Sequence, residues 1–174
     1  MSGAVGDQFV IRRTRSGKTI IANKPHFAED RVFSPAQKTH QESFREASSY
    51  ARLAKTQDVY IRKAKETGSI AYNLAISDWF GRPQVLEIDV KAWTGTAGQS
   101  IRVKARDNFR VARVVVVIRD GEGQALVPSE AAPTAEGSPW WIYATQSQVT
   151  MTPTPTVEAT AENLPGNTDT LTVG

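Results

Sequence analysis

The stretch "VEATAENLPGNTDTLTV", Val157–Val173, decides how this chain is read. Val157, Ala159 and Ala161 alternate with Glu158, Thr160 and Glu162, the period-two pattern of a strand with one buried face. "LPGN", Leu164–Asn167, holds the proline and glycine that mark turns, and a Thr-rich strand comes after it. Toward the N-terminus the same texture recurs in "WWIYAT" (140–145), "RVVVVIRD" (113–120), "SIRVKAR" (100–106) and "QVLEIDVKAW" (84–93), with turns at "GEGQ" and "TGTAGQ". At least six short strands with no helix between them predict an antiparallel sandwich or barrel. In "RVVVVIRD", Val115 and Val117 fall on one face, and Val114, Val116 and Ile118 on the other. Both faces are apolar, so the strand is expected to be covered twice, with Val115, Val117, Val157 and either Trp140 or Trp141 in the core.

Residues 85–173 resemble bacterial immunoglobulin-like domains. Val157–Val173 looks like their closing strand pair, "VARVVVVIRDGEGQAL" like their central hairpin, and "WWIY" like their aromatic strand. No calcium site is carried over from the resemblance. The resemblance implies a β-sandwich and a role in adhesion, spacing or assembly in surface proteins, phage particles or filaments. The helical front has only a vague likeness to uncharacterised bacterial proteins with a "SPAQ…Q…F" helix, and no function comes with it.

Before the strands lie helices. Ser34 is placed to cap the first, with Pro35 at its first position, where a missing N–H costs nothing. Ala36, His40, Phe44, Ala47, Ala51 and Ala54 form one narrow face of small residues that permits close packing. A second helix is expected over Asp58–Glu66, with Asp58 as cap and Gly68 as terminator, and a third over Ser69–Phe80, apolar enough to be largely buried.

At the front, "RTRSGKTII", Arg13–Ile21, ends as a phosphate-binding loop ends, G-x-x-x-x-G-K-[ST]. Counting back five from Gly17 reaches Arg12, whose side chain blocks the backbone approach that the first glycine exists to allow. The residues after Lys18 are β-branched and run into Pro25, where the motif needs a helix. The segment reads instead as a hairpin, Gln8–Arg15 and Lys18–Asn23, with Gly17 supplying a positive φ. Its apolar residues Phe9, Ile11, Ile20, Val10 and Ile21 fall on both faces. An isolated hairpin is marginal in water, so it must lie on its own sandwich, on a nucleic acid or on another copy.

The whole chain, 174 residues with a formal net charge of +3, is lopsided. Residues 1–119 hold all 21 Lys and Arg against 11 acids, while residues 120–174 hold seven acids and no Lys or Arg. A polyanion partner, contacts between copies, or neutralisation within one fold are each consistent with this. There is no cysteine, hence no disulfide, thiolate metal site or cysteine nucleophile. No stretch nears the length of a membrane span, and the opening residues lack the apolar run of a secretory signal. The expected location is the cytoplasm or an assembled particle.

Catalytic patterns are missing. His26 and His40 lie fourteen apart with no other ligand at metal spacing, and neither a G-x-S-x-G elbow nor an H-E-x-x-H helix occurs. His40, on the narrow helix face, is expected to be partly buried. Glu87 and Asp89 share a strand face that either contacts a cation or is solvated. The expectation is a non-enzyme without cofactor or metal. Basic residues cluster on two β segments: Arg12, Arg13, Arg15 and Lys18 on the arm, Arg102, Lys104 and Arg106 on "SIRVKAR", with Arg110 and Arg113 beyond. Only Phe9 and Phe109 lie near them in sequence, which argues against the interleaved aromatics of a single-strand binder. The expected fold is α+β: a hairpin arm and loop (1–33), a helical segment (34–81) and an immunoglobulin-like sandwich (84–174). The expected function is a self-assembling filament, tube or particle subunit whose partners are copies of itself. A basic nucleic-acid-binding module is the alternative, with Arg12, Arg13, Arg15, Lys18, Arg102, Lys104 and Arg106 as the contact surface in either case.

Overall fold

The computed structural model describes residues 3–6, 8–14, 16–25 and 32–174, so Arg15 and His26 lie outside the described residues. The chain forms two units, Met1–Gln41 and Glu42–Gly174. In the first, β1 (Gly3–Val5), β2 (Phe9–Arg13) and β3 (Thr19–Asn23) make a three-stranded antiparallel sheet. The expected hairpin is β2–β3, with Ile11 opposite Ile21 and Gly17 at φ 82° in its turn. The Gly3–Val5 strand, too short to carry a visible alternation, pairs on the far side of β2.

Helix α1 (Pro35–Ala54) runs from the first unit into the second. Its start is a reciprocal capping box. The Gln37 N–H donates to Ser34 Oγ at 3.3 Å, and the Ser34 N–H to Gln37 Oε1 at 2.9 Å. Only the C-terminal part of the alanine face is buried: Ala47, Ala51 and Ala54 are, whereas Ala36, His40 and Phe44 are exposed. This corrects the expectation of a half-buried His40. Helix α2 (Asp58–Thr67) has Gln57 at its N-cap, so Asp58 is its first residue and favours the helix dipole there instead of capping it. Gly68 ends it in the left-handed conformation. Helix α3 (Ala71–Phe80) is only half-buried, contrary to the expectation, and its two fully buried side chains are Ala75 and Asp78.

The remaining strands are β4 (Gln84–Asp89), β5 (Ser100–Arg106), β6 (Val111–Arg119), β7 (Ser129–Glu130), β8 (Ala132–Pro133), β9 (Trp140–Ala144), β10 (Thr156–Asn163) and β11 (Thr168–Val173). They form two four-stranded antiparallel sheets, β11-β10-β6-β7 and β4-β5-β9-β8. The inner faces share one core that includes Ile101, Val103, Val114, Val116, Ile118, Trp141, Tyr143, Val157 and Ala159. The fold is therefore α+β, with an N-terminal strand arm, a helical segment and an antiparallel β-sandwich. The core residue from the tryptophan pair is Trp141. Val115 and Val117 point outward and are half-buried, because β10 pairs along β6 with Val157, Ala159 and Ala161 turned in beside Val114, Val116 and Ile118. A bulge in β4 between Val85 and Glu87 turns Val85 and Ile88 inward although they are three apart, leaving Leu86 exposed. The helices have their own small core, Ala51, Ala54, Tyr60 and Ala75, closed by Phe109 and Leu164 from sandwich turns.

Candidate functional site

In the arm, strand register decides which residues share a face. Val5, Phe9, Ile11 and Ile21 lie on one side, and Val10, Arg12 and Ile20 on the other. Both sides are apolar, and Val5, Phe9, Ile20 and Ile21 are all at least 42% exposed. Arg12 and Arg13 sit at the end of β2 and Lys18 just before β3, so the basic residues gather at the turn. The arm is thus a sheet of three short strands with apolar residues on both faces and a basic tip.

Arg102, Lys104 and Arg106 stand together on the outer face of β5. Each meets a polar or acidic residue across β4: Asp89 is opposite Arg102, Glu87 opposite Lys104, and Gln84 accepts two hydrogen bonds from Arg106 at 3.1 and 3.0 Å. Glu87 and Asp89 thus share their sheet register with the chain's own Lys104 and Arg102. On the other flank Trp140 of β9 pairs with Lys104. The Arg102 guanidinium lies 4.4 Å and the Lys104 ammonium 5.3 Å from the indole centre. An aromatic does interleave with these charges, contrary to the expectation from sequence. It comes from a strand 36 or more positions away, and only the pairing of β5 with β9 could reveal it.

Part of the charge on the sandwich is paired within the chain. Arg113 binds Glu162 at 2.7 Å and reaches Glu130 at 3.6 Å, Arg119 lies 3.9 Å from Glu158, and Arg62 lies 3.9 Å from Glu136. Four of the seven acids of residues 120–174 thus meet arginines of the front half.

At the junction of helices and sandwich lies a polar chain that the sequence did not announce. The Tyr60 hydroxyl donates to Asp78 Oδ2 and lies 2.7 Å from the Tyr50 hydroxyl. Asp78 is fully buried, and its Oδ1 has no hydrogen-bond partner among the described residues. Burial raises its pKa to about 6, opposed by the Tyr60 hydrogen bond and assisted by the negative charge of Asp107. Burial likewise raises Tyr60 and Tyr50. Among the described residues no three His, Asp or Glu side chains are grouped to hold a metal ion, and no helix is long and apolar enough to cross a membrane.

No family model and no curated protein matches the chain. Among solved structures it is similar to an engineered protein at 22% identity, over 55% of this chain and 19% of that one, with a TM-score of 0.33, a likeness too slight to carry an argument.

Proposed function

We propose that this chain is a non-enzymatic structural protein that assembles with copies of itself into a filament, tube or particle, using the N-terminal sheet as the arm that reaches a neighbour. The observation that carries this reading is the arm's two exposed apolar faces. A sheet of three to five residues per strand cannot bury a core of its own. Exposed Phe9, Ile20 and Ile21 on opposite sides favour insertion between protein surfaces over one-sided docking on phosphates. The resemblance of residues 85–173 to bacterial immunoglobulin-like domains points the same way, since such domains serve as spacers and building blocks. The basic arm tip and those acids of residues 120–174 that no arginine meets among the described residues would orient neighbours head to tail, the arrangement that yields open arrays.

The second reading, a basic nucleic-acid-binding module, is favoured by one observation: Trp140 flanked by Arg102 and Lys104 on an outer sheet face. One experiment separates the two. Deleting residues 1–24 is expected to leave a folded, smaller species and to abolish higher assembly in sedimentation and electron microscopy. A truncated protein that assembles like the full chain would defeat the structural reading. A monomeric full chain that binds single strands with steep salt dependence, and loses that binding in Trp140→Ala, would install the second reading in its place.

A further inference from the structure

The two ends of the sandwich differ in charge in a way the internal ion pairs do not cancel. At the end where β6 begins, a cavity of about 190 Å³ opens between the sheets, floored by Ala105, Val111 and Trp141 and rimmed by Arg106 and Arg110. A neighbouring cleft shares Arg106 and adds Arg82. Arg82 and Arg110 are exposed and have no carboxylate partner among the described residues. The Trp141 indole N–H is buried and has no acceptor among the described residues. Two acids also line this cavity, but both are engaged. Asp107 Oδ1 accepts the N–H groups of Phe109 and Arg110 at 2.9 and 3.1 Å, and Glu136 faces Arg62. Together the two clefts carry three arginines, Arg82, Arg106 and Arg110, against the carboxylates of Asp107 and Glu136, over an apolar floor.

At the other end, β6 runs into the turn Asp120–Gly123. The Asp120 carboxylate holds it, accepting the N–H groups of Glu122 and Gln124 at 3.0 and 2.8 Å. Glu122 is exposed at the apex and has no cation partner among the described residues. The groove beside it is lined by Asp120, Glu122 and neutral residues only. Nine residues of β6 separate Arg110 from Asp120, about 30 Å of extended strand, so the two ends cannot meet within one chain.

We propose that the Arg106–Arg110 cleft receives the Asp120–Gly123 turn of a second copy, with Glu122 entering between the two guanidinium groups. This rests on the assembly reading and adds to the arm a second contact, one that repeats in a single direction. A side-chain-anchored turn offers its carboxylate already in place, so little ordering is lost on docking. A patch that meets a different patch on the next copy leaves a free end at each step, which makes an open array.

The test uses charge reversal in the full chain, read by sedimentation and electron microscopy. Arg110→Glu and Glu122→Arg are each expected to raise the concentration for half-assembly about tenfold or more, because like charges then face each other. Mixing the two variants one to one should restore assembly, as should combining both changes in one chain. Restoration also shows that neither variant has simply misfolded. If both single variants assemble as the unaltered chain does, or if neither the mixture nor the double variant recovers, the contact is wrong and the arm reading stands alone. If the unaltered chain stays monomeric throughout, both fall.

Discussion

Asp78 is the side chain most at odds with its surroundings: a carboxyl at zero exposure inside a helical layer whose other buried residues are alanines and a tyrosine. The titratable groups that face it are Tyr60 from α2, Tyr50 from α1 and Asp107 from the turn after β5. Its pKa rises from 3.8 to about 6 on folding. A carboxyl raised in this way supports the fold while protonated, so its contribution is complete below about pH 4 and is lost as the pH climbs to about 6. Each pKa unit corresponds to about 1.4 kcal/mol, so the loss is about 3 kcal/mol. Asp78→Asn keeps an oxygen for the Tyr60 hydroxyl and removes the charge. Relative to the unaltered chain, its stability should improve by about 3 kcal/mol between pH 4 and pH 7, measured by urea unfolding. An equal difference at both pH values would refute this account of Asp78.

Among the elements, β6 shows what a pattern can and cannot state. Alternation divides Val114, Val116 and Ile118 from Val115 and Val117, but an all-apolar strand does not say which set turns inward. Only the pairing with β10 decides, because Ala161, Ala159 and Val157 oppose Val114, Val116 and Ile118. The outer pair is half-covered and lies between the Arg113–Glu162 and Arg119–Glu158 ion pairs. Val116→Ala should therefore cost about 2 kcal/mol, and Val117→Ala less than half as much, in denaturant unfolding. Equal costs would mean that the register is misassigned. The same logic explains what else was legible. Ser34, Pro35, Gly17 and Gly68 carry local chemistry and placed their elements correctly. Trp140 beside Arg102 and Asp78 beside Tyr60 are meetings between distant segments, and no local period records them.

Within residues 42–174, part of the sequence's lopsided charge is paired internally. Arg113, Arg119 and Arg62 reach four of the acids beyond residue 119. For the proposed contacts between copies, the described residues offer Glu122 at one end of the sandwich, Arg82 and Arg110 at the other, and the arm with its apolar faces and basic tip. Raising salt from about 0.1 M to about 1 M shortens the screening length from about 10 Å to about 3 Å. That should weaken the proposed end-to-end contact while sparing the proposed apolar burial of the arm, which salt does not screen. Assembly is therefore expected to loosen partly, not to vanish, when tracked by light scattering across that range. Complete dissociation into monomers would show that charge alone holds the copies together.

The sheet order β11-β10-β6-β7 has a consequence for how the chain is made. During synthesis the apolar arm emerges before the sandwich, and β6 emerges with Val114, Val116 and Ile118 still lacking their neighbours. The strand that sits beside β6, β10, leaves the ribosome later, and Arg113 waits 49 residues for Glu162. An unfinished chain thus presents both a sticky arm and an unpaired central strand, the two features that invite premature association between nascent copies. For the assembly proposed above, order then depends on timing: the sandwich must close soon after its final hairpin is free, before neighbouring arms find an open β6.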